Sequence, residues 1–207
     1  MTKYFCALAA LTIVFGHQQF ATDAAAQSRW LQTVQVMAPV QGQDIAAALL
    51  DSLVDVVDRR GVLIGRTPDD STRYRIVDLE DQLFDAGLDF SSANKMFITY
   101  RFEANQRRFK SDIIDLYFIY RPEEYEDADI PIAYFDASDP IIRNTLVGKG
   151  TRLETNEAVF EPFWDKLQFY QLENALVTSV GGRVIRDEQR AESERVRLVG
   201  IIRQFLY

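Results

Sequence analysis

The sequence predicts an α+β fold: an antiparallel sheet with an N-terminal β-α-β-β segment and a C-terminal αα-hairpin. Residues 95–103 and 110–120 alternate apolar and polar side chains, which is typical of two paired strands. Residues 44–61 repeat apolar residues at helical spacing, and two longer helical patterns lie on either side of Gly181 and Gly182. Together these patterns place helices before and after a central hairpin.

The first 26 residues have the three parts of a secretory signal peptide. Lys3 supplies the basic start, residues 5–15 form an uninterrupted apolar run, and residues 24–26 are alanines that suit a cleavage site. Because a membrane-spanning helix needs about 20 apolar residues, this run is too short to be one. We therefore expect residues 1–26 to be removed and the protein to be periplasmic or secreted. A short uncleaved anchor is the alternative.

The composition is that of a folded, acidic protein. Hydrophobic residues make up 47% of the chain and aromatic residues 12%, which is more than a disordered chain contains. The formal net charge of −8 argues against nucleic-acid binding, which depends on cations that neutralise phosphates. The length predicts a sheet domain over residues 27–150 and a helical hairpin over residues 151–207 packed on it. No transmembrane segment is expected in either part.

Cys6 and His17 are the single cysteine and the single histidine, and both lie in the predicted signal peptide. Without them the mature chain has no disulfide, no thiol or imidazole catalyst and none of the usual zinc sites. We expect neither a metal nor a cofactor.

A first strand and a first helix are predicted over residues 29–61. Val34, Val36 and Ala38 share one side of the strand. The residues expected at the ends of the helix are Asp44 at the N-cap, Arg59 and Arg60 in the last turn, and Gly61 after it.

Residues 62–64 and 73–79 are predicted as short strands, and residues 79–87 as a short helix that ends at Gly87. The resulting β-α-β-β order is carried by ALLDSLVDVVDRRGVLIG and the following DLEDQLFDAGLDF. It resembles the small βαββ modules at the N-termini of outer-membrane secretins and transducing transporters. The resemblance rests on element order and assigns no site residues.

The predicted hairpin joins its two strands through the polar turn ANQRRF. The residues expected on one face are Met96, Ile98, Tyr100 and Phe102 of the first strand and Ile114, Leu116, Phe118 and Tyr120 of the second. Those expected on the other face of the second strand are Ile113, Tyr117 and Ile119. Because both faces are apolar apart from Asp115, the second strand is predicted to be central and covered, at least in part, on both sides.

Two helices are predicted to form the C-terminal hairpin. Thr151 and Glu154 have the spacing of a capping box, which predicts a helix from there to Gly181. A charged final helix is predicted over residues 183–207.

Four carboxylates are candidates for an acid pair, the arrangement that glycoside hydrolysis needs. Asp115 lies in an apolar strand, where a carboxylate must be paired or have a shifted pKa, and Arg101 is its expected partner. The other three have structural explanations: Asp136 ends a strand over residues 132–136, Asp139 caps a helix over residues 139–148, and Glu161 lies on a helix surface.

Two further motifs are weaker. Ser92 and Lys95 form an S-x-x-K pattern similar to that of serine acyl-transferases of the penicillin-binding type. Because Lys95 opens a strand, we expect the two side chains to point apart. The acidic loop over residues 123–129 lacks the glycine and the spacing of a calcium loop, so we expect a solvated loop.

Two segments are predicted to bind a partner: a basic hairpin turn and the apolar end of the chain. Their residues are Arg107, Arg108, Lys110, Ile201, Ile202, Phe205, Leu206 and Tyr207. A soluble turn and docking of the end onto the preceding helix are the alternatives, and self-association through the last helix is a further one.

These observations favour an exported, periplasmic, non-catalytic interaction or assembly accessory protein of the bacterial cell envelope. The partner is expected to be another envelope protein. The alternatives are a carboxylate-dependent hydrolase of envelope carbohydrate and a small-ligand-binding protein that uses the aromatic face of the sheet.

Overall fold

The computed structural model describes residues 30–40, 45–105, 108–124, 128–153, 156–172 and 174–206. These residues form helices and an antiparallel sheet, which confirms the α+β class. The main sheet has the order β4-β3-β2-β1-β7-β8, and β5 and β6 form a separate pair. The strands are β1 Trp30–Pro39, β2 Lys95–Asn105, β3 Arg108–Tyr120, β4 Ile130–Asp136, β5 Gly150–Leu153, β6 Asn156–Pro162, β7 Leu176–Val180 and β8 Arg183–Val184. The helices are α1 Ile45–Arg60, α2 Ile76–Asp85, α3 Pro140–Gly148, α4 Phe163–Lys166 and α5 Glu188–Leu206.

The hydrophobic core lies between one face of the main sheet and the helices. Because side chains alternate along a strand, every second residue of a strand faces this core. The sheet contributes Val34, Val36, Met96, Ile98, Tyr100, Phe102, Leu116, Phe118, Phe135 and Val177. The helices contribute Leu49, Leu53, Leu79, Leu83, Ile142, Leu146, Phe163, Leu198 and Ile202. Each described helix therefore packs against this first face.

The helix boundaries follow from local chemistry. Gly61 has φ +62°, the left-handed conformation that ends a helix, and α1 stops just before it. Asp139 accepts a hydrogen bond from the backbone N–H of Ile141 at 2.7 Å, and Pro140 follows it as the first helical residue of α3. The C-terminal end of α1 and the N-terminal end of α3 thus agree with the sequence predictions. The predicted N-cap of α1, Asp44, lies outside the described residues.

A bulge in the β2–β3 ladder changes the predicted faces. Tyr100 lies opposite Ile113 and Thr99 opposite Asp115, so Ile114 is the extra residue. Ile113 therefore belongs to the core face and is buried, while Ile114 is half-buried. The prediction had placed these two isoleucines the other way round, because strict alternation along β3 does not anticipate the bulge.

The predicted strand over residues 73–79 is wrong. Ile64 and Tyr74 form one isolated bridge, and Ile76 already begins α2. Ile76, Leu79 and Leu83 have helical spacing and pack into the core, which overrides the short alternating pattern. The β-α-β-β order on which the resemblance to secretin and transporter modules rests is therefore not formed.

The first arm of the predicted αα-hairpin is also wrong. Residues after Gly150 form the strand pair β5 and β6, then the single turn of α4, and then β7, which pairs with β1. Gly181 and Gly182 have positive φ angles and form the turn of the β7–β8 hairpin. This part of the chain therefore completes the sheet. Of the final predicted helix, residues 188–206 form α5, whereas Arg183 and Val184 belong to β8.

Helix α5 docks on the sheet, not on a preceding helix. Leu198 and Ile202 are fully buried in the core, and Arg195 donates a hydrogen bond to the backbone oxygen of Ala175 at 3.3 Å. Phe205 stacks against Trp30 and Phe109 at 6.3 Å between ring centroids. In the part of the chain that the structure describes, no helix has the length and hydropathy that crossing a membrane requires.

Truncating the buried side of α5 is expected to destabilise the whole fold. Ile202→Ala should lower the free energy of unfolding by about 2–5 kcal/mol, because it leaves a cavity in the core. Val196→Ala on the exposed side of the same helix should change it by less than about 0.5 kcal/mol. Urea unfolding followed by circular dichroism measures both. Equal losses of unfolding free energy in the two variants would contradict the docking of α5.

Candidate functional site

The second face of the main sheet carries a row of apolar side chains. Hydrogen-bonded register places Leu176 opposite Met37, Met37 opposite Phe97, Phe97 opposite Tyr117, and Tyr117 opposite Tyr134. We call these five residues the apolar row. It crosses β7, β1, β2, β3 and β4 and is roughly 19 Å long, since neighbouring strands lie about 4.8 Å apart. All five side chains are half-buried and lie outside the hydrophobic core.

The aromatic part of the row is ordered by ring contacts. The rings of Phe97 and Tyr117 stack with their centroids 6.0 Å apart and their planes 20° from parallel. The guanidinium of Arg73 lies 6.0 Å from the ring centroid of Tyr134. Burial, with a smaller contribution from nearby carboxylates, raises the pKa of Tyr117 and of Tyr134 to about 12. Both phenols therefore stay protonated at neutral pH and can donate a hydrogen bond.

A polar row runs beside the apolar row, two residues away along β1, β2, β3 and β4 and three residues away along β7, where Thr178 is an extra residue. Its members lie opposite one another in the order Ser179, Gln35, Thr99, Asp115, Asp136. The Thr178 hydroxyl donates to the backbone oxygen of Gln35 at 3.2 Å, which ties β7 to β1 at this level. The polar row thus begins with neutral side chains at β7 and ends with two carboxylates at β4.

The two carboxylates at the end of the polar row face each other across the ladder. Residues directly opposite in an antiparallel pair have Cβ atoms about 4.5–5.5 Å apart, so Asp115 and Asp136 are close neighbours. Burial raises the pKa of Asp115, a hydrogen bond from Thr99 partly offsets this, and the charge of Asp136 raises it further. Asp136 is exposed and accepts a hydrogen bond from the backbone N–H of Ser138 at 2.8 Å. The buried carboxyl is therefore the one that keeps its proton longer.

The other predicted acid candidates lie elsewhere. Asp139 caps α3 and, together with Asp136, Tyr134 and Arg73, lines a cleft of about 160 Å³. Glu161 forms an ion pair with Lys166 at 3.0 Å in a separate cleft of about 540 Å³. The structure therefore brings Asp115 and Asp136 together but not Asp139 and Glu161 with them as a group of four.

Arg101 is not the partner of Asp115, contrary to the sequence prediction. It lies opposite Asp112, at 3.9 Å between Nη2 and Oδ2, whereas the residue opposite Asp115 is Thr99. Asp112 is buried and also contacts Lys110 and Arg143, the latter at 3.4 Å. The guanidinium of Arg143 in turn lies 5.2 Å from the ring centroid of Trp164. This network joins α3 and α4 to β3.

The S-x-x-K motif does not form a catalytic pair. Ser92 closes a capping box with Asp89, its hydroxyl donating to Asp89 at 2.8 Å, at the end of a 3-10 turn. Lys95 is the first residue of β2, as expected. In the acidic loop, Asp129 pairs with Arg121 at 2.6 Å, and residues 125–127 lie outside the described residues. Among the described residues no group of three acidic, histidine or cysteine side chains is placed to hold a metal.

The predicted partner-binding residues have different environments. Arg108 is exposed, whereas Lys110 contacts the carboxylate of Asp112. Ile202 is 1% exposed, so it offers no surface to a partner; Ile201 is half-buried and Phe205 is 42% exposed. Residues outside the described side chains are Arg107, Leu206 and Tyr207. Binding through the accessible residues stays a prediction.

The sequence analysis missed the apolar row. Tyr117 was assigned to the second face, but Met37, Phe97, Tyr134 and Leu176 were not recognised as its neighbours. The clearest signal in the sequence is on β2, where Phe97 is the one apolar residue among the alternate positions Lys95, Thr99, Arg101 and Glu103. Only the register shows that these positions are adjacent.

No known protein-family model matches this chain, and no curated protein matches its sequence significantly. A proposal for the function therefore has to rest on the geometry of the second face.

Removing the charge of Asp115 is expected to stabilise the protein. Because its pKa is raised in the folded state, the folded protein keeps this proton to higher pH than the unfolded chain does. The free energy of unfolding should therefore fall as the pH rises from the ordinary pKa of an aspartate through the raised pKa of Asp115 in the folded protein. Asp115→Asn should remove this fall and add about 0.5–1 kcal/mol at pH 7, since like charges directly opposite destabilise a ladder.

Urea unfolding between pH 4 and pH 8 measures the effect. Asp112→Asn, three residues earlier on the same strand, is the matched control and should have the opposite sign. It removes a carboxylate that three cations surround, which should cost about 1.5 kcal/mol. A loss of stability in both variants would contradict the like-charge interpretation of Asp115.

Proposed function

We propose that the protein is an exported, periplasmic accessory protein of the cell envelope that binds a partner protein through the second face of its sheet. The observation that supports this most directly is the apolar row, which lies outside the hydrophobic core. The export part of the proposal rests on the signal-peptide pattern of residues 1–26.

The apolar row has the composition of an interface centre. Aromatic side chains and methionine are enriched at the centres of protein interfaces, and tyrosine is frequent among the residues that dominate binding energy. Phe97 and Tyr117 are held by neighbours on rigid strands, so ordering them on binding costs little conformational entropy. Half-buried aromatic rings also leave apolar surface in water, and a partner would remove it.

The polar border on one side of the row fits a non-obligate contact. Thr99 and Gln35 border Phe97 on that side, whereas on the other side Lys95 lies between Pro39 and the fully buried Ile119. A polar rim around an apolar centre is the usual anatomy of interfaces between proteins that are each stable alone. The well-filled core on the first face supplies that stability without the partner.

A photoreactive phenylalanine at position 97 is expected to crosslink a specific envelope protein in cells. The same residue at position 192, on the exposed side of α5, is the placement control and should not give that product. N-terminal sequencing of the recovered protein should begin at Gln27. Recovery with Met1 intact would contradict the export proposal.

Two serine substitutions then test the surface with the purified partner. Phe97→Ser should weaken binding at least tenfold, as truncation of a central interface residue does. Phe84→Ser, which removes the 81%-exposed ring on α2, should leave binding unchanged. Loss of binding with Phe84→Ser alone would place the interface on α2 and overturn the proposal.

A hydrolase of envelope carbohydrate is the second candidate, and the opposition of Asp115 and Asp136 favours it. A retaining glycosidase needs two carboxyl groups about 5 Å apart, one with a raised pKa. Asp115 and Asp136 lie directly opposite each other, and the pKa of Asp115 is raised. Against this, Asp115 is not among the residues that line the cleft beside Asp136. The pair lies on a sheet face, where a glycosidase would need a cleft to exclude water and hold a sugar ring.

Release of reducing ends from purified peptidoglycan distinguishes the candidates. The interaction proposal expects none above background for the wild type. Turnover that is abolished in Asp136→Asn and retained in Asp51→Asn, a carboxylate on the exposed side of α1, would establish the hydrolase instead.

A further inference from the structure

We infer that the occupant of the second face is an extended segment of the partner that alternates apolar and basic residues, with a lysine or arginine at the Asp115–Asp136 end of the polar row. This inference rests on the proposed function and adds the chemistry of the partner to it. It follows from the spacing of the two rows and from the charges around them.

The spacing of the two rows fits an alternating segment. The apolar and polar rows run side by side across the strands and are two residues apart along β1, β2, β3 and β4, about 7 Å. A segment that lies across the strands thus meets apolar side chains along one edge and polar side chains along the other. In an extended segment alternate side chains diverge, so one set can reach the apolar row while the other reaches the polar row.

The charges near the β4 end favour a cationic partner. Tyr117 and Tyr134 lie within electrostatic reach of four carboxylates and two guanidiniums. The carboxylates are Asp69, Asp115, Asp129 and Asp136, and the guanidiniums are Arg66 and Arg73. Because Arg121 already pairs with Asp129, the remaining carboxylates still outnumber the guanidiniums. A basic side chain is therefore complementary to this end, and an acidic one is repelled.

The placement of Lys95 gives the occupant a direction. Lys95 borders Phe97 on the side of the apolar row away from the polar row. The positive charge of the occupant is thus favoured on the side of Asp115 and disfavoured on the side of Lys95. At the β7 end, Ser179 and Gln35 are neutral, so the basic residue belongs at the β4 end of the segment.

A bound cation would also stabilise the Asp115–Asp136 pair more than it would stabilise an isolated surface carboxylate. In the free protein, Asp115 and Asp136 face each other and repel when both are ionised. A cation between them replaces this repulsion with two attractive contacts. The free protein thus carries an unfavourable interaction that binding relieves, which is a common property of functional sites.

Two synthetic hexapeptides test the inference: acetyl-Lys-Leu-Lys-Leu-Lys-Leu-amide and the same peptide with glutamate in place of lysine. Titration into the ¹⁵N-labelled protein should show that the lysine peptide shifts backbone amides of β2, β3 and β4. The glutamate peptide should bind at least fivefold more weakly, and the affinity of the lysine peptide should fall with added salt. Equal affinities, or shifts confined to α2 or α5, would overturn the inference.

A charge-matched pair of double variants tests the role of the acid pair. Asp115→Asn with Asp136→Asn should weaken binding of the lysine peptide about fivefold or more. Asp51→Asn with Asp58→Asn removes the same charge from the exposed side of α1 and should leave affinity within about twofold. Equal weakening by both would show that only the net charge attracts the peptide, and would overturn the inference.

The outcomes separate this inference from the proposed function. A partner captured through position 97, with no preference for the lysine peptide, would refute the basic segment and leave the accessory role standing. Preference for the lysine peptide without a captured envelope partner would refute the accessory role alone. A dimer in sedimentation that Phe97→Ser dissociates would show that a second copy of the chain occupies the face, and would refute the basic segment.

Discussion

The register between β2 and β3 is the constraint on which the rest of the structure depends. Between Lys95 and the bulge, this register pairs Met96 with Phe118 and Phe97 with Tyr117. The Met96–Phe118 pair faces the core, and the Phe97–Tyr117 pair faces outward. A shift of one residue would move every apolar side chain of a strand to the opposite face. The core specifies the register strongly because Met96, Ile98 and Phe118 are all fully buried. The order of the second face is thus a consequence of packing on the first face.

The bulge at Ile114 has consequences on both faces. It brings Ile113 into the core, and it sets Asp112 among three cations while Asp115 lies opposite Thr99 and Asp136. Two aspartates three residues apart on one strand therefore have opposite roles. Asp112 is surrounded by compensating charge, whereas Asp115 has a like charge as its cross-strand neighbour. Without the extra residue, the register that pairs Thr99 with Asp115 would place Arg101 opposite Ile113 and not opposite Asp112.

The sequence was sufficient where local patterns decide the structure and insufficient where distant pairing decides it. Helix α1 has a complete amphipathic stripe and a terminal glycine, and the β2–β3 hairpin is formed by neighbours in the chain, so both were predicted. Residues 151–180 have apolar spacing that also suits a helix, and β7 is a strand because it pairs with β1, more than 130 residues earlier. The short run Leu176–Val180 is rich in β-branched residues, which is a weak indication that the helical spacing outweighed. The apolar row needs five strands in register, so no single segment of the sequence reveals it.

Residues of all five described helices belong to the hydrophobic core, and the apolar row of the second face lies outside it. In an antiparallel sheet with one solvated face, the residues on that face are usually polar, because solvent selects against apolar side chains. The rows that contain Thr33 and Gln35 follow this rule, whereas the neighbouring row places Met37, Phe97 and Tyr117 side by side. The Phe97–Tyr117 stack contributes to the stability of the sheet, but these rings lie outside the core, and apolar surface in water lowers solubility. The carboxylates beside the row limit non-specific association, because they repel acidic proteins, including other copies of this acidic chain. An apolar strip bordered on one side by carboxylates therefore supports the proposal that this surface selects a partner of opposite charge.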